Sequence, residues 1–202
     1  MIISIPKEIN INESRIAIIP STVKEYIKKG FSVQIESGAG DKSFISDKEF
    51  QLAGASITKN AQETLQNADL VLKVNAPTFD VNTNIHEVDL MKDNSALISF
   101  FQTSIEEEAL KKIVEKKISG FSMHNIPRTT LAQKMDALSS QSNIAGYKAV
   151  LVGSTHIGKY MPLLMTAAGT IQPSKVLIIG AGVAGLQAIA TSKRLGAQVE
   201  AF

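Results

Sequence analysis

Short apolar runs alternate with helical patterns of apolar residues along the first 125 residues. The runs that predict strands lie at 2–5, 31–36, 70–74, 96–100 and 118–123. Helices are predicted from Pro20, from Asp47, over 61–68 and over 105–117, and Gly30 and Gly54 end the first two. Strands that alternate with helices predict a parallel sheet that is covered by helices on both faces.

The pattern becomes helical after residue 131, and 138–152 predict one long helix. An irregular connector over 161–173 precedes an apolar run at 176–179, a second helical pattern and a strand-like run at 198–202. We therefore predict an α/β protein in which a flavodoxin-like parallel-sheet domain is joined by a long helix to the start of a Rossmann domain. The predicted boundaries are 1–140 for the first domain, 141–170 for the linker helix and connector, and 171–202 for an incomplete first β-α-β of the Rossmann domain.

The strand at 176–179 runs directly into a glycine turn with the spacing G-x-G-x-x-G, which consists of Gly180, Ala181, Gly182, Val183, Ala184 and Gly185. In a dinucleotide-binding unit the first glycine permits the sharp turn, the second lets the pyrophosphate approach the backbone, and the third lets the helix pack closely. The helix N-terminus then offers N–H groups to the phosphates. The alternative is a glycine-rich turn of another α/β protein, but the strand, helix and second strand in this order favour nucleotide binding.

An acidic residue that binds the adenosine ribose is expected about 20 residues after the glycines, where the sequence reaches Phe202. We interpret the chain as a fragment of a larger nucleotide-binding protein. The strands at 176–179 and 198–202 would then expose apolar edges, which predicts dimerisation, strand exchange or poor solubility.

Composition narrows the classes of function. The hydrophobic fraction of 44%, the charged fraction of 20% and a net charge of +2 fit a soluble globular protein and argue against nucleic-acid binding. The absence of cysteine excludes disulfides, thiolate metal sites and a cysteine nucleophile. The longest apolar-rich stretch, 144–165, is broken by glycine, lysine, histidine and proline, so no transmembrane span is predicted.

Residues 124–147 resemble a segment of a known family, and 128–147 are the most specific part of the resemblance. The segment HNIPRTTLAQKMDALSSQSNIAGY resembles the loop and helix of the proton-translocating NAD(P) transhydrogenase alpha subunit. The shared features are Pro-Arg, a Gln and an Asp three apart, Ala-Leu-Ser-Ser and Asn-Ile-Ala-Gly-Tyr. Further similarity at 5–8, 13–17, 36–40, 71–77, 166–169 and 180–185 extends the resemblance along the whole chain.

The resemblance implies that Arg128, Gln133, Asp136 and Ser139 line the nicotinamide end of a bound NAD(H). Arg128 can hold a carboxamide oxygen or a phosphate. Asp136 can accept from the carboxamide NH₂ or orient Arg128, Gln133 suits ribose hydroxyls, and Ser139 offers one more hydroxyl. On a helical turn Gln133 and Asp136 would share a face. The structural alternative is a surface ion pair between Arg128 and Asp136 at a helix start, with Ser139 or Ser140 as the cap.

Alanine dehydrogenase, which shares the fold and the N-terminal sequence features, has to be distinguished from this family. Its members carry a lysine at the strand end matched by Lys73 and a catalytic histidine just after the next strand. Here that strand continues as Ser-Phe-Phe-Gln-Thr at 99–103, so the group that would accept and return a proton is absent. We interpret Arg15 and Lys73 as features of the fold that pair with carboxylates, and His86 as a solvated side chain in a polar loop.

By resemblance, NADH bound to this chain would give its hydride to NADP on another component while a membrane component moves protons. Such a reaction needs no catalytic residue and no metal from this chain, whose task is to bind and align the cofactor. The resemblance also implies a homodimer in the cytoplasm, peripheral to the inner membrane through membrane and NADP-binding partner subunits. Two alternatives stay open: an amino-acid oxidoreductase of the alanine dehydrogenase type, and a non-catalytic fragment that keeps the fold but not the ligand.

Overall fold

The computed structural model describes residues 1–202, and the chain divides into two compact units. Unit 1 comprises Met1–Ile126 and unit 2 comprises Pro127–Phe202. The units divide before the long helix, whereas the sequence-based boundaries at 140 and 170 follow the pattern of predicted elements. Those boundaries stay a prediction.

Unit 1 contains eight strands: β1 (Ile2–Ile5), β2 (Ser32–Glu36), β3 (Ser56–Thr58), β4 (Leu70–Asn75), β5 (Phe79–Asp80), β6 (Ile85–His86), β7 (Ala96–Phe100) and β8 (Ser119–Ser122). Six of them form a parallel sheet with the order β3-β2-β1-β4-β7-β8. The short strands β5 and β6 pair with each other in a separate antiparallel hairpin. Apart from the edge strand β3, the sheet follows the flavodoxin-like order 2-1-3-4-5, which confirms the predicted fold class.

Burial explains why the predicted strands formed. Strand β4 reads Leu-Val-Leu-Lys-Val-Asn and is buried at its four central positions, as expected for a central strand covered on both faces. The helices of unit 1 are α1 (Pro20–Lys28), α2 (Asp47–Leu52), α3 (Ala61–Leu65), α4 (Glu87–Leu90) and α5 (Glu107–Glu115). The core beneath them includes Ile3, Ile5, Val33, Ile35 and Phe50 on one side, and Leu65, Val71, Val88 and Leu97 on the other.

Unit 2 contains the long helix and one parallel β-α-β element. Its elements are α6 (Ala137–His156), β9 (Leu164–Thr166), β10 (Gly169–Ile171), β11 (Lys175–Ile178), α7 (Val183–Arg194) and β12 (Gln198–Ala201). Strands β11 and β12 pair in parallel with Lys175 opposite Gln198. The prediction that 161–173 are irregular is wrong, because β9 and β10 form an antiparallel hairpin there. None of the helices in the chain combines the length and the hydropathy that a membrane span needs.

Candidate dinucleotide site

The glycine turn of unit 2 joins β11 to α7 and leaves its backbone accessible. Gly180 has a φ of +94°, which residues with a Cβ rarely adopt. Its N–H donates to the Phe202 carbonyl after β12 at 2.7 Å. A Cβ built at Gly180 or at Gly182 would meet no protein atom within 4 Å. The backbone at Gly182 is therefore open to a group that approaches from outside the chain.

The first turn of α7 lies directly against this loop. A Cβ at Gly185 would lie 1.8 Å from the Gly180 carbonyl oxygen, so only glycine lets the helix begin here. Gly182 is the N-cap residue, and no side chain caps α7. The first N–H groups of a helix have no partner within it, so the amides of Val183 and Ala184 are donors at the positive end of the helix dipole. This end of α7 suits an anion.

The other predicted site residues lie around the start of α6, where Asp136 is the N-cap residue. Its carboxylate accepts the Ser139 N–H at 2.9 Å and the Ser139 hydroxyl at 2.6 Å. These hydrogen bonds, with a smaller contribution from the charge of Arg128, hold the pKa of Asp136 below its usual value. Asp136 is therefore a carboxylate at neutral pH. A carboxylate has about four lone-pair positions, so it can still accept from a ligand after capping the helix.

Arg128 and Gln133 precede α6, and both are exposed. Arg128 forms none of the chain's ion pairs. The structural alternative is wrong about the ion pair and the cap, since no Arg128–Asp136 ion pair forms and the cap is Asp136 rather than Ser139 or Ser140, but Asp136 does have a structural role as the N-cap of α6. Gln133 opens a short 3-10 turn, Gln133–Met135, in which the Asp136 N–H donates to the Gln133 carbonyl at 3.3 Å. The two side chains are thus one 3-10 turn apart rather than on the face of one α-helix.

Helix α6 connects both groups of predicted residues within unit 2. Its first turn carries Asp136 and Ser139, and Gly146 lies against Ala184 in the first turn of α7. The donors and acceptors fit a dinucleotide: amides at a helix start suit a diphosphate, and a carboxylate, a hydroxyl and a guanidinium suit polar groups further along the ligand.

A second polar cluster lies in unit 1 at the carboxyl ends of β1 and β4. The Lys73 ammonium lies 2.6 Å from a Glu87 oxygen and 3.4 Å from a Glu8 oxygen. Burial opposes the charge of Lys73, but the two carboxylates outweigh burial and keep the pKa of Lys73 above its usual value. Glu8 also accepts the Val74 N–H at 2.7 Å. Parallel α/β sheets usually bind ligands at this switch point, and here the chain's own carboxylate lies in it.

Arg15 is bound by a carboxylate of its own segment. Its guanidinium lies 2.7 Å from Glu13, and the hydrogen bond from Arg15 is the main reason that the pKa of Glu13 falls to about 2. The side chain of Asn75 donates to the same carboxylate at 3.0 Å. Both basic residues that the sequence singled out thus pair with carboxylates, as predicted. The partners Glu8 and Glu87 are distant from Lys73 in the sequence and could not be predicted from it, whereas the Glu13–Arg15 spacing was a local signal for the other pair.

Two histidines have environments that the sequence analysis did not predict. His86 is only 3% exposed, so the prediction of a solvated side chain is wrong. Its Nδ1 accepts the Val88 N–H at 3.2 Å, and burial lowers the pKa of His86. His124 follows β8 and packs edge-on against Phe100 at the end of β7, with ring centroids 5.5 Å apart. A histidine therefore does lie near the end of β7, although the residues directly after that strand, 101–103, include none.

Two family sequence profiles match almost the whole chain. The profile of the alanine dehydrogenase/PNT N-terminal domain matches residues 4–145, and that of the alanine dehydrogenase/PNT C-terminal domain matches residues 149–202. A component of NAD(P) transhydrogenase subunit alpha from Rhodospirillum rubrum is 45% identical over 202 residues, which are 100% of this chain and 52% of that protein. The chain thus spans about half the length of this relative.

Two solved structures resemble the chain over its full length. The transhydrogenase of Sinorhizobium meliloti gives a TM-score of 0.92 at 40% identity, covering 100% of this chain and 58% of that one. An L-alanine dehydrogenase gives a TM-score of 0.84 at 28% identity, and the match covers 100% of this chain and 54% of the dehydrogenase chain. The chain therefore belongs to the alanine dehydrogenase/PNT family, and its homologues include proteins named NAD(P) transhydrogenase subunit alpha.

Proposed function

We propose that this chain supplies the NAD(H)-binding portion of an NAD(P) transhydrogenase alpha subunit. The observation that carries the proposal is the glycine turn at 180–185, whose backbone is open at Gly182 and leads into a helix that no side chain caps. The Rhodospirillum rubrum relative, which is named as a transhydrogenase subunit, aligns with the whole chain and supports this choice of activity.

In this proposal the start of α7 binds the diphosphate of NAD(H), and the start of α6 binds its nicotinamide end. The amides at 183–185 donate to the diphosphate. Asp136 accepts from the carboxamide NH₂ and stays ionised because Ser139 holds its pKa low. Arg128 donates to the carboxamide oxygen or to a phosphate, and Gln133 binds ribose hydroxyls. The Ser139 hydroxyl, which donates its proton to Asp136, has acceptor positions left for the ligand.

The bound cofactor supplies the hydride, so that NADH and NADP⁺ become NAD⁺ and NADPH. The residues of this chain then need only to bind and align the nicotinamide ring, without accepting or donating a proton. Asp136 suits this role, because a carboxyl with a lowered pKa is a weak general base. Oxidation of an amino acid would need a proton acceptor and free cations for the substrate, but Arg15 and Lys73 are already paired with carboxylates.

The remaining components belong to the proposal as well. NADP would bind to a partner component, and a membrane component would couple hydride transfer to proton translocation. The NAD(H)-binding portion would act as a homodimer on the cytoplasmic side, peripheral to the inner membrane through those partners.

Calorimetric titration of NADH into the chain tests the proposed site. The variant Asp136→Ser removes the carboxylate but keeps the helix cap, because serine caps helices about as well as aspartate. We expect Asp136→Ser and Arg128→Ala each to weaken NADH binding roughly 10-fold, as for hydrogen bonds to charged groups. Lys134→Ala, an exposed cation of the same segment, should bind NADH like the wild type.

Three outcomes would contradict the proposal. The first is a wild-type chain that does not bind NADH, and the second is unchanged affinity in both site variants. The third is reduction of NAD⁺ with alanine as the substrate, which would favour the alanine dehydrogenase alternative.

A further inference from the structure

Helix α6 contacts the first turn of α7 through backbone atoms at one point. Gly146 is one of two buried residues in the 20-residue helix. A Cβ built at Gly146 would lie 2.1 Å from the Ala184 carbonyl oxygen, 2.8 Å from its carbon and 3.0 Å from the Ala184 Cα. All three are backbone atoms, so no side chain could rotate away to make room. Only glycine at 146 allows the helices to approach this closely.

A polar contact lies one turn along from this crossing. The Asn143 side-chain NH₂ group donates to the side-chain oxygen Oε1 of Gln187 at 3.1 Å. The Gln187 amide group in turn donates to the Thr191 hydroxyl at 3.2 Å. Asn143 precedes Gly146 by three residues and Gln187 follows Ala184 by three, so the two contacts lie side by side along the crossing. Together they fix both the separation of α6 and α7 and their position along each other.

The same crossing relates the two ends of the proposed ligand site. Ser139 at the start of α6 lies seven residues, or about 10 Å along the helix axis, from Gly146. The first turn of α7 is also fixed on its other side, where Gly185 approaches the Gly180 carbonyl oxygen. The distance between the Asp136–Ser139 group and the amides of α7 is therefore set where Gly146 meets Ala184.

We propose that Gly146, supported by Asn143, is a positioning residue that sets the register between the diphosphate-binding and nicotinamide-binding ends of the site. This inference rests on the proposed NAD(H)-binding function and assigns a role to a glycine outside the glycine turn. A methyl group at 146 must move α6 and α7 apart by about 1 Å, because a contact of 2.1 Å has to reach at least 3.0 Å. A displacement of this size can reduce activity by up to about 100-fold where geometry is critical.

Ligands of different length distinguish a change of register from general loosening. NADH spans both ends of the site, ADP-ribose carries the diphosphate without nicotinamide, and nicotinamide mononucleotide carries nicotinamide without the diphosphate. Calorimetry on the chain should show that Gly146→Ala weakens NADH binding at least about 10-fold. The affinity for ADP-ribose and for nicotinamide mononucleotide should fall far less. Gly153→Ala is the matched control, since it lies on the same helix and its Cβ would meet nothing within 4 Å.

The possible results separate this inference from the proposed function. Unchanged NADH binding by folded Gly146→Ala, or equal losses for NADH and both fragments, would overturn the positioning role and leave the NAD(H) site standing. A wild-type chain that binds no NADH would overturn both. If circular dichroism shows that Gly146→Ala does not fold, Asn143→Ala takes its place. That variant removes only the hydrogen bond to Gln187 and should give a smaller loss of affinity that is again confined to NADH. Equal losses of affinity for all three ligands, or no loss for any, would contradict the inference.

Discussion

Lys73 is a buried charge in unit 1, since its side chain is 1% exposed and its ammonium contacts two carboxylates. We expect Lys73→Met to lower the free energy of unfolding by about 3 kcal/mol or more, because removing one partner of a buried ion pair leaves the others unpaired. Urea denaturation measures this. Lys92→Met is the matched control: its ammonium lies 2.8 Å from Asp69, but this pair is exposed to solvent, so the stability of the variant should stay close to that of the wild type.

The Glu13–Arg15 pair predicts a pH dependence of stability. The pKa of Glu13 falls from 4.5 to about 2 in the folded chain, so the pair stabilises fully above pH 4.5 and loses its effect as the pH falls from there towards 2. Because 43% of the Arg15 side chain is exposed, we expect Glu13→Gln to cost at most about 1 kcal/mol at pH 7. Thermal unfolding of both proteins at several pH values should show this difference shrinking below pH 4.5. A difference that stays constant down to pH 3 would contradict the assignment.

Side-chain environments were predictable where the sequence carried a local signal. Arg15 lies two residues from Glu13, and pairing with a carboxylate was predicted and found. The prediction for His86 was wrong because it relied on the polar residues nearby in the sequence. The burial of His86 comes from its position at the end of β6 and at the N-cap of α4. The cap formed by Asp136 is local in sequence, but Ser139 and Ser140 were equally plausible caps on residue type alone.

At the scale of elements, α2 shows how a short helix is defined by its first turn. The Ser46 side chain accepts the Glu49 N–H, and the Glu49 carboxylate accepts the Ser46 N–H at 2.8 Å. We expect Ser46→Ala to lower stability by about 1 kcal/mol in chemical denaturation, as for other N-cap residues. Ser21→Ala is the control, because Ser21 is exposed in the first turn of α1, whose N-cap residue is Ile19 without a side-chain cap. Equal losses in both variants would contradict the capping role.

The elements that the sequence pattern did not predict are all short. Strand β3 has three residues, β5 and β6 have two each, and helix α4 has four. Such lengths are shorter than the windows over which an apolar pattern can be recognised, so pairing with a neighbour rather than local preference decides them. The hairpin of β9 and β10 has six paired residues that are mostly exposed, so it lacks the apolar pattern by which the longer strands were found.

At the scale of the whole molecule, the two units differ in whether a side chain occupies the carboxyl ends of their parallel strands. In unit 1 the switch point between β1 and β4 is filled by Glu8, which binds the β4 backbone. In unit 2 the corresponding place at the end of β11 is the glycine turn, where a Cβ at Gly182 would meet nothing. Of these two positions, only the backbone at Gly182 has no side chain of the chain against it, which favours a ligand site in unit 2.

The sheet of unit 2 predicts self-association. Strands β11 and β12 form a two-stranded sheet in which each strand has one unpaired edge. Leu177, Ile179 and Phe202 are 58%, 86% and 81% exposed, and a groove of about 770 Å³ lies beside β11. Since exposed edges with apolar side chains pair readily with other chains, we expect the average mass in sedimentation velocity to rise with protein concentration.

A charge introduced on β11 tests whether this surface causes the association. Leu177→Lys should lower the associated fraction, because a lysine on an edge strand opposes pairing with a second chain. Val114→Lys is the matched control: it adds the same charge at a position of α5 that is 73% exposed, but it lies in unit 1 and should leave association unchanged. An equal effect of both variants would mean that net charge rather than the sheet edge controls association. A wild-type chain that stays monomeric at every concentration would contradict the prediction, since the apolar side chains of β11 would then be tolerated in water without a partner.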